Sequence, residues 1–472
     1  MVQPRDCMIE GLKPYSKMKD SSPWQGMPDH WEAVPLRAIA RMKSITGKED
    51  RELLSVYLDR GVIKFSEVDE KRTNVTSEDL SKYQAVDPGD LVLNNQQAWR
   101  GSVGVSRHTG IVSPAYLVVS LNSKIGPAYA NLLFRERTMV DQYLICSRGV
   151  GTIQRNLYWP SLKTVPILLP PLLEQEAIVG FVDHLERRIR RYIRAKRKLI
   201  KLLEEQKHAI VNRTVTRGLN LNVRLKPSGV EWVGDIPEHW EVMLNQRIFK
   251  ENIRPHFGHT ETPLSLSQRD GLIATTEMKE RSLQTSTYEN WKVTVPGDLV
   301  VNRFKAHLGV FFASGVRGIV SFHYGVFVPR RRMCTKYFEH LYHTQPYRTI
   351  YAGRSNGMTA GLQNLSNQNF YSVKTIVPPI AEQLAIVEYV EKATFDINTT
   401  IARTAGEIDL LREYRTRLIA DVVTGKLDVR DVAARLPNKP VEPELLDDIG
   451  IEFSPDSEST DAVDEMLEPI EA

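Results

Sequence analysis

Cysteine is scarce in this chain. Cys7, Cys146 and Cys334 are the only three in 472 residues, far apart and without a C-x-x-C spacing. An odd, scattered set argues against a disulfide framework or a zinc site, and for a reducing compartment. No run of about 18 apolar residues occurs, so no membrane-spanning segment is expected. The stretch from Met1 to Asp20 lacks the apolar core of a signal peptide. A soluble, cytoplasmic chain with no membrane contact is the expectation.

Catalytic motifs are equally sparse. There is no G-x-x-x-x-G-K-[ST] phosphate loop, no H-E-x-x-H and no set of His joined to a Cys pair at metal-ligand spacing. The Asn/Asp-Pro-Pro-aromatic tetrapeptide that amino-methyltransferases use is missing too. Gly149-Val150-Gly151 lacks the third glycine of a dinucleotide turn. The expectation is a chain with no catalytic site, no metal and no cofactor of its own.

Charge is present but unevenly spread. The net charge is only +4, yet residues 441–472 hold twelve Asp/Glu and no Lys/Arg. Taking those twelve from 58 acidic residues leaves 46 against 62 basic ones, so residues 1–440 carry +16. Such a body suits a polyanion, with nucleic acid the first candidate. The acidic tail, residues 431–472, is poor in periodic apolar residues and is expected to be disordered.

The most informative feature is a long internal repeat. Pro28-Asp29-His30-Trp31-Glu32 returns as Pro237-Glu238-His239-Trp240-Glu241. Pro88-Gly89-Asp90-Leu91-Val92 returns as Pro296-Gly297-Asp298-Leu299-Val300. Gly110-Ile111-Val112-Ser113 returns as Gly318-Ile319-Val320-Ser321. Pro170-Pro171 with Glu174-Gln175 returns as Pro378-Pro379 with Glu382-Gln383. The offsets lie between 208 and 210, in one order, which marks a tandem duplication.

Each copy changes character midway. Its first part reads as an α+β globule. Strands are expected at Leu91–Asn94 and across Ile111–Leu121, and a helix over Gly126–Cys146 with a counterpart near Thr335–Ala352 that Pro346 interrupts. Its second part reads as a long helix opened by the proline pair. Ile178, Val182, Leu185, Ile189, Tyr192, Lys196, Leu199, Leu203, Gln206 and Ile210 follow a 4-3-4-3 rhythm, a coiled-coil seam. Ile397, Ile401, Thr404, Ile408, Leu411 and Leu418 form a looser second seam, with Gly406 as a weak point. A helix over 172–215 would reach roughly 65 Å and hold the two globules apart. The predicted organisation is an arm (1–21), a globule (22–170), a helix (171–220), a globule (221–378), a helix (379–430) and the tail.

This architecture resembles the specificity (S) subunit of type I restriction–modification enzymes. The resemblance rests on the paired Pro-Pro…Glu-Gln helix openings, the Pro-Gly-Asp-Leu-Val strand starts and the His-Trp openings. It also rests on the Thr424-Gly425-Lys426-Leu427-Asp428 helix exit, degenerate as Thr216-Arg217-Gly218-Leu219-Asn220. It covers residues 22–430. It implies two target-recognition domains joined by an antiparallel coiled coil with approximate two-fold symmetry, each domain reading half of a split site on double-stranded DNA. It further implies docking of two methyltransferase (M) subunits, which would bind S-adenosylmethionine. Restriction motor-nuclease (R) subunits would also join, with ATP and Mg²⁺ serving those partners rather than this chain.

Base reading calls for Arg or Lys against guanine and Asn or Gln against adenine. Three loop pairs offer them. The first holds Asn95, Gln96, Gln97 and Arg100, against Arg303, Lys305 and His307. Asn94 and Asn302, shared by both copies, are expected to be structural. The second holds Arg148, Gln154 and Arg155, against Arg354, Asn356 and Gln363; the third holds Tyr57 and Arg60, against Gln268 and Arg269. The same residue types also serve as ordinary turn formers. On the first long helix, nine of the fifteen residues from Arg187 to Lys201 are basic. Arg187, Arg190, Arg191, Arg194 and Arg197 could form a phosphate rail. A solvated face or a partner-docking surface is slightly favoured, because the second helix has no such cluster. Two other readings remain open: a non-DNA scaffold that joins protein partners, and a stand-alone nuclease, for which no carboxylate cluster speaks.

Overall fold

A computed structural model describes residues 11–58, 60–67, 79–150, 154–220, 222–230, 232–252, 254–255, 261–268, 271–277, 288, 290–356 and 363–436. Cys7 and the acidic tail from 437 onward lie outside the described residues. The chain divides into two compact units. One holds the residues up to Lys196 together with those from Gly406, and the other holds Arg197–Ala405. Each unit thus contains one globule, the first half of that globule's own long helix and the last part of the other repeat's helix.

Within each globule the topology is the same. In the first, a four-stranded antiparallel sheet runs in the order Ala40–Lys43, Tyr116–Leu121, Leu91–Asn94, Val103–Val105. In the second the order is Phe249–Glu251, Tyr324–Pro329, Leu299–Asn302, Phe311–Ala313. A hairpin lies beside each sheet, Leu54–Tyr57 with Gly61–Lys64 and Leu264–Ser267 with Gly271–Ala274. The start and end of each globule are zipped together, Glu32–Pro35 on Pro166–Leu169 and Glu241–Leu244 on Lys374–Val377.

Several expected elements are divided. The strand expected over Ile111–Leu121 is two strands, Gly110–Val112 and Tyr116–Leu121, because Ser113 and Pro114 turn the chain between them. The helix expected over Gly126–Cys146 is also two, Pro127–Phe134 and Arg137–Ile145. Glu136 restarts it by accepting a hydrogen bond from the Thr138 amide at 2.6 Å. The interruption expected at Pro346 in its counterpart falls at the same place, giving Thr335–Tyr342 and Gln345–Arg354, with Pro346 in the first turn of the latter. Part of the expected arm is built in. Tyr15 is buried, and Met18–Ser21 pairs with Trp24–Pro28, as Leu225–Pro227 pairs with Asp235–Pro237 in the second repeat.

The long helices are continuous over Leu172–Arg217 and Ile380–Val423, and Gly406 does not interrupt the second. In the first unit they run antiparallel, since Glu186 pairs with Arg415 and Lys196 with Glu407. The seam of the first helix is fully buried from Ile178 to Ile189 but loosens beyond it, with Leu199 exposed. No helix among the described residues is long and apolar enough to cross a membrane.

The repeated motifs converge on one joint per unit. Glu174, 4% exposed, accepts hydrogen bonds from Trp31 Nε1 at 3.0 Å and from the Tyr15 hydroxyl, and contacts His30 Nε2 at 2.7 Å. Glu382 does the same with Trp240 Nε1 at 2.8 Å and His239 Nε2 at 2.6 Å. The neighbouring Gln175 accepts from the Gly126 amide at 2.7 Å and donates to the carbonyls of Lys124 and Pro170. Gln383 accepts from the Cys334 amide at 2.9 Å and donates to the carbonyl of Pro378. Each amide side chain thereby supplies the acceptor that a helix N-terminus needs.

The far end of the other helix completes each joint. Gly425, at φ +75°, lies against Trp31 and Pro28, and Gly218, at φ +74°, lies against Trp240. Both helices end on a left-handed glycine, as a C-terminal cap demands. Tyr129 donates to the Val423 carbonyl at 3.3 Å, and the aligned Tyr337 donates to the Val215 carbonyl at 2.9 Å.

Two outcomes test this packing. A Cβ on Gly425 would sit 2.6 Å from Pro28 Cδ and 2.9 Å from Trp31, whereas one on Gly218 would meet Trp240 at 3.2 Å. Gly425→Ala should therefore cost on the order of 3 kcal/mol and Gly218→Ala about 1 kcal/mol, measured by denaturant unfolding of the full chain.

The second outcome concerns pH. Burial, with Lys336, His343 and Lys207 nearby, holds His340 down at about 3. Burial holds His343 down at about 4, although its Nε2 contacts the Phe311 carbonyl at 2.8 Å. Both are neutral when folded, and the unfolded chain takes up protons first as pH falls below about 6.5. Stability is thus full above that pH and falls by about 2 kcal/mol per histidine by pH 5. His340→Leu, which installs the residue found at the aligned Leu132, should remove about half of that dependence.

Candidate nucleic-acid interface

Three loops meet along one edge of the first globule. The Asn95 carbonyl accepts the Leu157 amide at 3.0 Å, which ties the 94–100 turn to the hairpin Ser147–Val150 and Gln154–Leu157. Ser102 Oγ donates to the Val56 carbonyl at 3.0 Å, and Arg135 Nη2 donates to the Leu58 carbonyl at 2.7 Å. The first of these bonds brings the third expected loop beside the first, and the second holds it to the junction between the helices Pro127–Phe134 and Arg137–Ile145. In the second globule the Arg303 carbonyl accepts the Leu365 amide at 3.0 Å, the same link at the aligned positions. There, among the described residues, the second loop carries a bridge between Asn356 and Asn364.

Asn94 and Asn302 serve structure. Asn94 Oδ1 accepts the Gln96 amide at 3.1 Å, and Asn302 Oδ1 accepts the amides of Phe304 and Lys305. Each closes its own turn. The Pro-Gly-Asp turns beside them are held by Asp90, paired with Lys43, and by Asp298, paired with Arg254.

The expected contact residues fall into three groups. On the first globule Gln96, Arg60, Arg100 and Arg148 are exposed, while Tyr57, Asn95, Gln97 and Arg155 are half-buried. Arg60 donates to the Glu67 carbonyl at 3.3 Å. Gln154 lies on its strand, with its side chain outside the description. Arg100 lies 4.7 Å and Arg155 6.0 Å from the Trp99 ring centroid, and Arg148 lies 3.4 Å from that of Tyr158. The aromatic platforms Trp99 and Tyr158 were missed by residue-type reasoning, which looked for donors and acceptors. Their signal was their place inside or beside the candidate loops.

On the second globule Gln268, Arg354 and Asn356 are exposed, Lys305, His307 and Gln363 are half-buried, and Arg269 lies outside the described residues. Arg354 donates to Ser372 Oγ at 2.7 Å. Arg303 is turned inward, its Nη2 donating to Glu251 at 2.8 Å and to Asn367 at 2.8 Å. In this conformation Nη2 is occupied within the protein. Glu251 also meets Lys292. Burial pulls the His307 imidazole below its ordinary range, against the opposing pull of the Phe304 carbonyl, with Arg348 adding to the depression.

Five buried side-chain polar atoms among the described residues have no hydrogen-bond partner: Asn95 Oδ1, Arg303 Nε, His307 Nδ1, Gln363 Oε1 and His340 Nε2. Such atoms are costly and rare in folded proteins. The first four all lie on the loops singled out by residue type.

On the first long helix Arg187, Arg190, Arg191 and Arg194 are exposed and Arg197 is half-buried. Arg190 pairs with Glu186, which also holds Arg415 of the second helix. Burial and then Arg187, Arg188 and Arg191 lower the His184 pKa. Part of this basic stretch therefore serves contact between the helices. No group of three or more His, Cys, Asp or Glu able to hold a metal occurs among the described residues.

No family model matches the chain. It is 25% identical over 248 residues to the putative type I restriction enzyme MjaX specificity subunit of Methanocaldococcus jannaschii, which covers 48% of this chain and 54% of that protein. The chain thus spans about half the length of the curated relative it matches. A solved structure described as the structural basis of complex assembly and conformational transition of the type I R-M system covers 84% of this chain and 98% of its own. Its TM-score is 0.57 at 16% identity, and it shows a shared fold. The crystal structure of the HsdS subunit from Thermoanaerobacter tengcongensis covers 86% and 99%, with a TM-score of 0.46 at 16% identity.

Proposed function

We propose that this chain is the DNA-specificity subunit of a type I restriction–modification enzyme. Each globule reads one half of a two-part site on double-stranded DNA, and the long helices set the spacing between halves and dock methyltransferase subunits. Chemistry belongs to the partners: the methyltransferase subunits bind S-adenosylmethionine, and the motor-nuclease subunits use ATP and Mg²⁺. The similarity to the archaeal specificity subunit supports this reading, as does the +16 charge of residues 1–440.

One observation carries it. The frame is kept between repeats while the loop chemistry is exchanged. The joint residues, the turn-closing asparagines and the link between the two loops recur position by position. On that frame Gln96, Arg100, Arg148 and Arg155 of the first repeat are replaced by Phe304, Leu308, Asn356 and Gln363 at the aligned positions of the second. A protein that must present two different sequence readers in one geometry needs this combination, since phosphate contacts position and base contacts specify. A scaffold for protein partners has no such need.

Replacing residues 22–170 with the matching part of a relative should change one half of the methylated motif and leave the other intact. Sequencing of methylated adenines in a host carrying the complex reads this directly. A change in both halves, or the absence of any two-part motif, would reject the reading. Deleting four or seven residues within 185–205 should shorten the unread spacer and keep both halves. Altered half-sites in those variants would rule out the helices as a ruler.

A further inference from the structure

The first globule brings arginines from two separate loops onto one aromatic ring. Trp99 sits in the 94–100 turn, and its indole N–H donates to the Gln96 carbonyl at 2.9 Å, which fixes the ring. The Arg100 guanidinium carbon lies 4.7 Å from the ring centroid. Arg155 reaches the same ring from the neighbouring hairpin, at 6.0 Å. A guanidinium held over an aromatic face loses rotational freedom, so that its rigid fork of donors is held in a set direction. Side chains ordered before a ligand arrives lose less entropy on binding it.

The second repeat dismantles this arrangement as a set. At the positions aligned with Trp99, Arg100 and Arg155 stand His307, Leu308 and Gln363. At those aligned with Arg148 and Tyr158, a second arginine–aromatic pair at 3.4 Å, stand Asn356 and Ser366. The indole and the arginines are lost together, as expected if the indole face is there for the arginines. Paired donors of arginine match guanine O6 and N7 in the major groove, whereas amide side chains match adenine.

We propose that Trp99 is a positioning residue for sequence specificity: its indole presents Arg100 and Arg155 together for guanine contacts in the half-site read by the first globule. The inference rests on the reading of the chain as a DNA-specificity subunit.

The test uses the full chain co-expressed with its methyltransferase partner, with the motif read by sequencing of methylated adenines. The wild-type half-site assigned to the first globule should contain guanine on one strand. Trp99→Ala should relax discrimination at those guanine positions roughly tenfold. The other half-site should stay sharp, and fully matched sites should still be methylated. Trp99→Phe, which keeps an aromatic face, should restore discrimination. Arg100→Ala and Arg155→Ala should relax the same positions. Trp99→His, the residue that the second repeat carries there, should behave like the alanine variant and decides the matter if the alanine variant fails to assemble. Sharp half-sites in both Trp99→Ala and Trp99→His, or a uniform fall in methylation at every site with the motif unchanged, would overturn the inference alone. A wild-type complex with no two-part motif would overturn the underlying reading, and the inference with it.

Discussion

A carboxylate in the first turn of each long helix ties the architecture together. Glu174 and Glu382 each hold the His-Trp opening of their own globule, and the glycine exit of the other repeat's helix closes over the same tryptophan. Three stretches far apart in sequence therefore meet at one point. At Glu174, which is buried, a carboxylate that accepts several donors is stable only with all of them in place. This makes the angle between globule and helix a fixed quantity rather than a hinge. The candidate loops belong to a globule so clamped.

The two joints are not equal. Glu174 is almost wholly buried, capped by Tyr15 and flanked by Arg430, which lies 5.4 Å from the Tyr15 ring and forms a bidentate pair with Asp428. The side chain of Glu382 is 41% exposed. A related inequality runs through the globules. The second encloses buried His340 and His343, while the first has Leu132 and Arg135 at the aligned positions. Duplication has kept the frame and let each copy find its own interior polarity.

Much of this was legible in the residues. The repeat period, the long helices, their boundaries at proline pairs and left-handed glycines, and the structural role of Asn94 and Asn302 follow from local chemistry that acts within a few residues. Divided elements were harder. Nothing in the apolar rhythm of Gly126–Cys146 announces that Glu136 will cap a second helix, and Ile111–Leu121 hides a turn among strand formers. The joint was legible only as parts, because His-Trp, Glu-Gln and Thr-Gly carry no mark of which copy each will meet. The inward turn of Arg303 depends on Glu251 and Asn367, neither near it in sequence, so residue type alone pointed outward. The platforms under the arginines escaped notice for a similar reason, since stacking is a property of placement.

The crossed closure of the joints also sets the order in which the protein can be finished during its synthesis. The second globule is tied by Tyr337 to Val215, a residue made 122 positions earlier, so its helix end is waiting when it emerges. The first is tied by Tyr129 to Val423, 294 positions later. At roughly 5–20 residues per second, the first-made half waits some 15–60 s for its last contact. The N-terminal globule is begun first and completed last, and for that interval Trp31 lacks the glycine that will cover it.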